Sequence, residues 1–292
     1  MLMRQARPAD VVAIATPCLL LVLAAAGGRS SDWIIPVVAW STVALTGLAI
    51  LHLKARVWGR IMHVIGTFWV TFAIPAVYMT LNPVIDLFNP RLLDPFFVQT
   101  DLYLFGVHPS VWLEGRVPPP LVDLLIVCYA TFYFWPLILG GVLYAKGRYE
   151  DVDHLALIIV LGFFLNYACY VVVPIVGPRF AIAPLYQGPP EGWLIGTQFW
   201  ESFLYIPTLR DCVPSGHTAM TLLTLAFAFT RQRWFFWAML PVAIPLISAT
   251  VLLRFHYVVD LILALPFALG VWALAGHFHR RSLRRAALPV AG

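Results

Sequence analysis

The sequence predicts an all-α, polytopic transmembrane helical bundle of about eight spans. Three observations carry that expectation. Hydrophobic residues make up 61% of the 292 residues and charged residues only 11%, with a mean hydropathy of +0.84; soluble globular chains lie near 45–50% apolar and about 25% charged. The apolar residues fall in runs of about twenty, enough for a helix to cross a hydrocarbon core of about 30 Å, and not in the alternating ten-residue segments of a membrane barrel. The basic residues divide unevenly between the connections, as topology-setting charges do. A water-soluble enzyme and a disordered chain are both excluded, and 11 Trp, 11 Tyr and 20 Phe exclude a low-complexity tract.

The runs come in order along the chain. The first, 11–27, follows Arg4 and Arg7 and ends in small residues, as a cleaved signal peptide does. It is also long enough to stay as a helix and is read so; either choice leaves the later topology unchanged. Runs 33–53 and 61–81 follow. Residues 82–120 then make a long connection whose Phe96, Phe97, Tyr103, Leu104, Phe105 and Trp112 suit a segment lying in the membrane interface. Runs 121–144 and 155–176 precede a second long connection, 177–214, with Trp193, Phe199, Trp200 and Phe203. Connections of that length are commonly lids or binding segments. Runs 215–230, 234–252 and 257–276 complete the set. Residues 1–120 thus form an N-terminal part of three spans plus an interfacial loop, and 121–292 form the part expected to hold the chemistry.

One side of that arrangement carries 13 basic residues: Arg4, Arg7, Lys54, Arg56, Arg60, Lys146, Arg148, Arg231, Arg233, Arg280, Arg281, Arg284 and Arg285. The other carries 6: Arg29, Arg91, Arg116, Arg179, Arg210 and Arg254. The positive-inside rule puts the richer side, with both termini, in the cytoplasm and both long loops outside. The net charge of +5 is thereby a topology signal and not a nucleic-acid footprint. An Ala/Leu/Arg-rich composition leans towards a bacterial inner membrane. Cys18, Cys128, Cys169 and Cys212 are scattered with no CxxC, so neither a disulfide framework nor a zinc site is expected.

Three stretches far apart in sequence fall on the outer side: 174–179, Pro-Ile-Val-Gly-Pro-Arg; 213–218, Val-Pro-Ser-Gly-His-Thr; and 254–260, Arg-Phe-His-Tyr-Val-Val-Asp. His256 and Asp260 are spaced i, i+4, one turn apart on a helical face. The carboxylate can fix the imidazole tautomer and leave the other nitrogen free as a nucleophile; the plainer alternative is a satisfied polar pair. Ser215, after the breaker Pro214, is an N-cap candidate. With Gly216 it opens a helix whose first turn favours an anion. His217 in that turn can protonate a leaving oxygen, or be an ordinary exposed histidine. Arg179 and Arg254 can grip a phosphoryl group, or snorkel at the boundary. Together the set meets the needs of phosphoester chemistry. His256 attacks, Arg179 and the helix N-terminus hold the equatorial oxygens, and His217 protonates the leaving group before deprotonating the acceptor. No metal and no other cofactor is called for, since no carboxylate cluster would hold an ion.

These stretches resemble the three motifs of the type 2 phosphatidic acid phosphatase (PAP2) superfamily, over about residues 160–275 and more faintly at 101–106, Asp-Leu-Tyr-Leu-Phe-Gly. The resemblance implies a helical bundle with its site at the membrane surface. It also implies His256 as nucleophile, His217 as acid and base, and Asp260 as support. Three features depart from the usual motifs, the first being the order Pro178-Arg179 where Arg-Pro is usual. Val172 stands seven positions before Arg179 where a lysine is usual, and Ala249 and Thr250 stand where Ser-Arg is usual. The Gly-Pro-Arg and His-Tyr-x-x-Asp forms are more similar to the branch of inositol phosphorylceramide synthase, and sphingomyelin synthases share the Gly-His-Thr and His-Tyr-x-x-Asp patterns. That branch implies a phosphotransferase with membrane lipids as donor and acceptor. The alternative is a lipid phosphate phosphatase acting on phosphatidate, a polyprenyl phosphate or similar. A transporter, with Asp123, His52 and His63 marking its pathway, is a third class, and no internal repeat supports it.

Overall fold

The computed structural model describes residues 6–27, 31–54, 59–204 and 210–286, and all regular structure among them is helical. The helices are α1 (Pro8–Gly27), α2 (Ile34–Lys54), α3 (Arg60–Phe68), α4 (Val70–Tyr78), α5 (Asn82–Phe88), α6 (Asp94–Phe105), α7 (Pro109–Leu113) and α8 (Pro119–Ala130). They continue as α9 (Phe134–Ala145), α10 (Tyr149–Val172), α11 (Pro178–Ala181), α12 (Gly196–Leu204), α13 (Gly216–Arg231), α14 (Arg233–Leu252) and α15 (Val258–Ala286). Arg4, Arg29 and Arg56, counted above as sided charges, lie outside the described residues.

All eight expected runs are helical; the third is divided between α3 and α4, and the last runs on to Ala286. Six helices among the described residues are long and apolar enough to cross a membrane, and α8 with α9 adds a seventh as a span bent by 51°. The run at 215–230 is α13, whose 16 residues reach about 24 Å at 1.5 Å per residue. By length and composition seven spans qualify, and both termini lie on one side only if α13 crosses as an eighth. The bend between α8 and α9 has a local cause. Pro136 has no N–H to offer the carbonyl four residues earlier, and its ring crowds that turn. Thr131 links the two sides of the break: its hydroxyl donates to the Cys128 carbonyl at 2.6 Å and accepts from the Trp135 indole at 2.9 Å. The run expected to end at 176 stops at Val172, ahead of Pro174.

The chain divides into two compact units interleaved in sequence. The first comprises Met1–Leu87, Gly140–Tyr167 and Leu269–Gly292. Its α1 and α2 pack side by side, and a buried polar network pins the start of α1. The Arg7 guanidinium meets Asp10 at 2.8 Å and Asp153 at 2.9 Å, and also donates to the Gly66 and Thr67 carbonyls. The Trp69 indole donates to Asp10 at 2.9 Å. Arg7 is thus held inside this unit and is not a free loop charge. The second unit comprises Phe88–Leu139 and Ala168–Ala268. In it α14 lies between α8 and α13. Val122, Leu125, Ile126 and Tyr129 of α8 bury themselves against Ala249, Leu252, Leu253 and Phe255 at the end of α14. All three motifs belong to this unit.

Candidate active site

The site is built on the turn between α14 and α15. Helix α14 ends in a Schellman motif: the Arg254 N–H donates to the Val251 carbonyl at 3.0 Å and the Phe255 N–H to Thr250 at 3.0 Å. The residue at the reversal adopts φ +62°, and it is arginine where glycine is the ordinary occupant. A side chain in that conformation costs about 1 kcal/mol or more. The turn persists because the side chain is anchored. The Arg254 guanidinium meets Glu114 Oε1 at 3.0 Å and lies 3.8 Å from the Tyr186 ring centroid. The same Glu114 oxygen accepts the Gln187 and Gly188 N–H groups. Arg254 thus ties the motif turn to the loop that follows α11.

The His256 N–H also donates to the Thr250 carbonyl, at 3.1 Å, which brings the histidine back under the turn. Tyr257 is the residue before α15, and Asp260 is the third residue of that helix. Asp260 Oδ2 accepts the Tyr257 N–H at 3.0 Å and lies 3.3 Å from His256 Nδ1. This is the backward half of a capping box. The expected His256–Asp260 meeting occurs, but not along a helical face: His256 lies ahead of α15 and the carboxylate folds back to it. Both residues are buried, His256 at 4% and Asp260 at 0% exposure. Burial pushes the His256 imidazole down to about 4, with Asp211 opposing that shift and Arg179 adding to it. A neutral ring whose Nδ1 proton faces the carboxylate leaves Nε2 as a lone pair.

The second motif docks on the first turn of α15. The Ser215 N–H donates to the Asp260 carbonyl at 3.2 Å, and Ser215 Oγ caps α13 by accepting the Thr218 N–H at 3.3 Å. Gly216 is the first residue of α13 and is buried. His217 follows it, its ring centroid 6.2 Å from that of His256. One face of His217 stacks on Tyr129 at 4.4 Å, and Phe132 packs on it at 4.1 Å. Tyr129 is on the last turn of α8 and Phe132 in the bend after it, so the break at Pro136 helps to furnish the wall behind His217.

The first motif enters from the other side. Gly177 has φ +85°, and a Cβ there would stand 2.6 Å from the Phe255 carbonyl oxygen and 2.9 Å from Cys212 Sγ. Only glycine permits that approach. The Arg179 N–H then donates to the Arg254 carbonyl at 2.9 Å. The Arg179 guanidinium lies 4.8 Å from the centroids of both Phe180 and Phe255, and among the described residues its buried Nε has no hydrogen-bond partner. A buried charged donor left unpaired is costly, which suits a group that receives an anionic ligand. Ala249 and Thr250, at the places where the usual motif has Ser-Arg, are fully buried; the Thr250 hydroxyl donates to the Ile247 carbonyl.

Two carboxylates that sequence reading left without a role lie against these motifs. Asp94 accepts the Val176 and Gly177 N–H groups and the Tyr257 hydroxyl. Asp101 accepts the Val258 and Val259 N–H groups. Burial pushes both carboxyls up, against the hydrogen bonds they receive. Their signal in the sequence was slight: acidic residues seven apart in an apolar, aromatic loop. Asp123 and His63, considered for a transport pathway, have local partners: Asp123 accepts the Leu194 and Ile195 N–H groups, and His63 meets the Tyr144 hydroxyl at 2.7 Å. Among the described residues, one group has the donor set for a metal: Cys212, His256 and Asp260, with donor atoms within 4.8 Å of one another. Burial and then the nearby Asp211 and Asp260 raise the Cys212 thiol well above its usual range. It donates to the Phe255 carbonyl at 3.3 Å, so the thiolate that a soft ion needs is disfavoured.

No curated protein and no solved structure matches the chain. A family profile does, that of the PAP2 superfamily, over residues 98–274. That stretch covers more than half of the chain and contains all three motifs. Membership supports a phosphatase or phosphotransferase type of activity. On that match the chain belongs to the PAP2 superfamily.

Proposed function

We propose that this protein is an integral membrane lipid phosphotransferase, similar to inositol phosphorylceramide synthase, that works through a phosphohistidine on His256 at the outer membrane face. The observation that carries the reading is the buried His256–Asp260 pair facing His217 across 6.2 Å, beside an Arg179 whose Nε is buried and unpartnered. His256 Nε2 attacks the donor phosphorus while the departing glycerol oxygen takes a proton from His217. Arg179, Ser215 and the backbone N–H groups from Gly216 hold the phosphoryl oxygens as charge builds on them. The diacylglycerol leaves. The hydroxyl of a lipid alcohol then gives its proton to His217 and takes the phospho-headgroup from His256, which restores both histidines. Arg254, bonded to Glu114, braces the loop beside the site and is less suited to grip phosphate than its sequence position implied.

The surroundings of the histidines favour transfer over hydrolysis. A phosphohistidine becomes a transferase intermediate when water is kept out and an alcohol admitted. Tyr129 and Phe132 cover His217, Phe199 packs edge-on to Tyr129, and Trp200 lies 6.4 Å from Phe255. With α13 crossing as an eighth span, the basic count by side supports cytoplasmic termini and an outward site, and the Ala/Leu/Arg-rich composition leans towards a bacterial inner membrane.

The test uses purified protein in mixed micelles with a fluorescent ceramide, phosphatidylinositol and phosphatidate, and His256→Ala as control. A phospho-headgroup on the fluorescent lipid, lost in the variant, is the expected result. Free phosphate from phosphatidate without transfer would make the protein a phosphatase. Activity that survives in His256→Ala would overturn the phosphohistidine.

A further inference from the structure

Helix α6 lies outside the three motifs, yet it holds two of them by their backbones. Its residues 94, 97 and 101 share one face, by a spacing of three and then four. Asp94 Oδ1 accepts the Gly177 N–H at 2.9 Å and the Tyr257 hydroxyl at 2.9 Å, while Oδ2 accepts the Val176 N–H at 3.1 Å. Phe97 stacks on the Tyr257 ring at 6.2 Å. Asp101 accepts the N–H groups of Val258 at 2.9 Å and Val259 at 3.0 Å. One end of α6 therefore grips the turn that carries Arg179, and the other grips the helix that carries Asp260.

The Asp101 contact completes the cap of α15. A capping box needs a side chain before the helix to accept the first free N–H groups. Tyr257 stands there and has no acceptor within reach of its own helix. Asp260 supplies the backward half of the box, and Asp101 supplies the missing half from 157 and 158 residues away in sequence. Asp101 thus takes the first two N–H groups of α15, while Asp260 takes the Tyr257 N–H ahead of the helix and stays in contact with His256.

Both α6 carboxylates are buried, Asp94 at 4% and Asp101 at 2% exposure. Packing alone is served as well or better by apolar residues, because burying a carboxylate carries a large desolvation cost. What a carboxylate adds is direction: it fixes particular N–H groups to within hydrogen-bond distance.

We infer that Asp94 and Asp101 are positioning residues of the reaction, which hold the Gly177–Arg179 turn and the His256–Asp260 turn in register through their main chains. The inference rests on His256 being the nucleophile. Neither residue touches the reacting atoms. Their loss slows chemistry by displacing His256, Asp260 and Arg179, and leaves substrate binding by the lipid chains largely as it was.

The experiment compares Asp94→Asn, Asp101→Asn, Tyr257→Phe and the Asp94→Asn/Tyr257→Phe double variant with wild type and His256→Ala. Full-length protein is assayed on the same panel of phosphatidylinositol, phosphatidate and fluorescent ceramide. Each asparagine variant is expected to lose tenfold or more in kcat with KM within threefold, while eluting as a folded monodisperse species. Tyr257→Phe is expected to lose less, and to add little on the Asp94→Asn background, because both remove one contact. The inference is overturned if the asparagine variants keep kcat within twofold, or if the loss is all in KM. It is equally overturned if they fail to fold, since the carboxylates would then hold the unit and not the site. A His256→Ala protein that remains active, or a wild type that acts on nothing in the panel, would instead overturn the function itself.

Discussion

The nucleophile assigned to His256 must be neutral when it attacks, and burial supplies that state, with the imidazole pushed down to about 4. The ring is neutral above that value and protonated below it. The acid limb of kcat/KM that belongs to His256 is therefore expected near pH 4, well below the ordinary histidine range near 6.5. A pH profile that bends near 6.5 on its acid side would contradict the burial argument. Arg179 makes a second prediction. Its flat guanidinium lies against two phenylalanine rings with Nε unpartnered, and a lysine ammonium reproduces neither the stacking nor the fork. Arg179→Lys is expected to lose roughly a hundredfold in kcat/KM, about the loss that follows removal of one transition-state donor. Retention of activity within a few-fold would show that charge alone is enough.

At the scale of elements, the break between α8 and α9 sets the wall behind His217. Pro136→Ala restores the missing N–H and favours a continuous helix, which draws Phe132 away from the imidazole. The expected result is a fall in kcat of roughly ten- to a hundredfold with the protein still folded. An unchanged kcat would mean that the bend is held by packing around Thr131 and not by the proline. The loop after α11 makes a complementary case. Glu114→Ala strips the partner from a buried Arg254 and from two backbone N–H groups at once. Removing one side of a buried pair costs about 3 kcal/mol or more, to be read as a lowered thermal midpoint. Faster proteolysis near residue 187 is expected with it. How much of this was legible in the sequence varies by element. The proline-marked ends of runs, the Ser215 cap and the meeting of His256 with Asp260 each rest on residues within five positions, and local spacing reports them. Asp94, Asp101 and Glu114 were not legible in that way. Their partners lie between 73 and 163 residues away, and one sequence carries no signal at that range. The Schellman reversal at Arg254 was missed because it normally announces itself with glycine.

For the whole molecule, composition alone gave the bundle, since 61% apolar residues in runs of about twenty admit little else. The interleaving of the two units depends on tertiary structure and has no mark in composition. Orientation rests on the basic count and makes its own prediction. A cysteine placed at Glu191 is expected to react with a membrane-impermeant maleimide in intact cells or spheroplasts, and one placed at Lys146 only after permeabilisation. The reverse pattern would put the site on the cytoplasmic side.

The division of the α15 cap between Asp260 and Asp101 bears on how the protein is made. Chains emerge from the ribosome N-terminus first, so α6 with its waiting carboxylates is inserted long before residues 258–260 exist. Both carboxylates of α6 are therefore made before every main-chain group of the two motif turns that they bind.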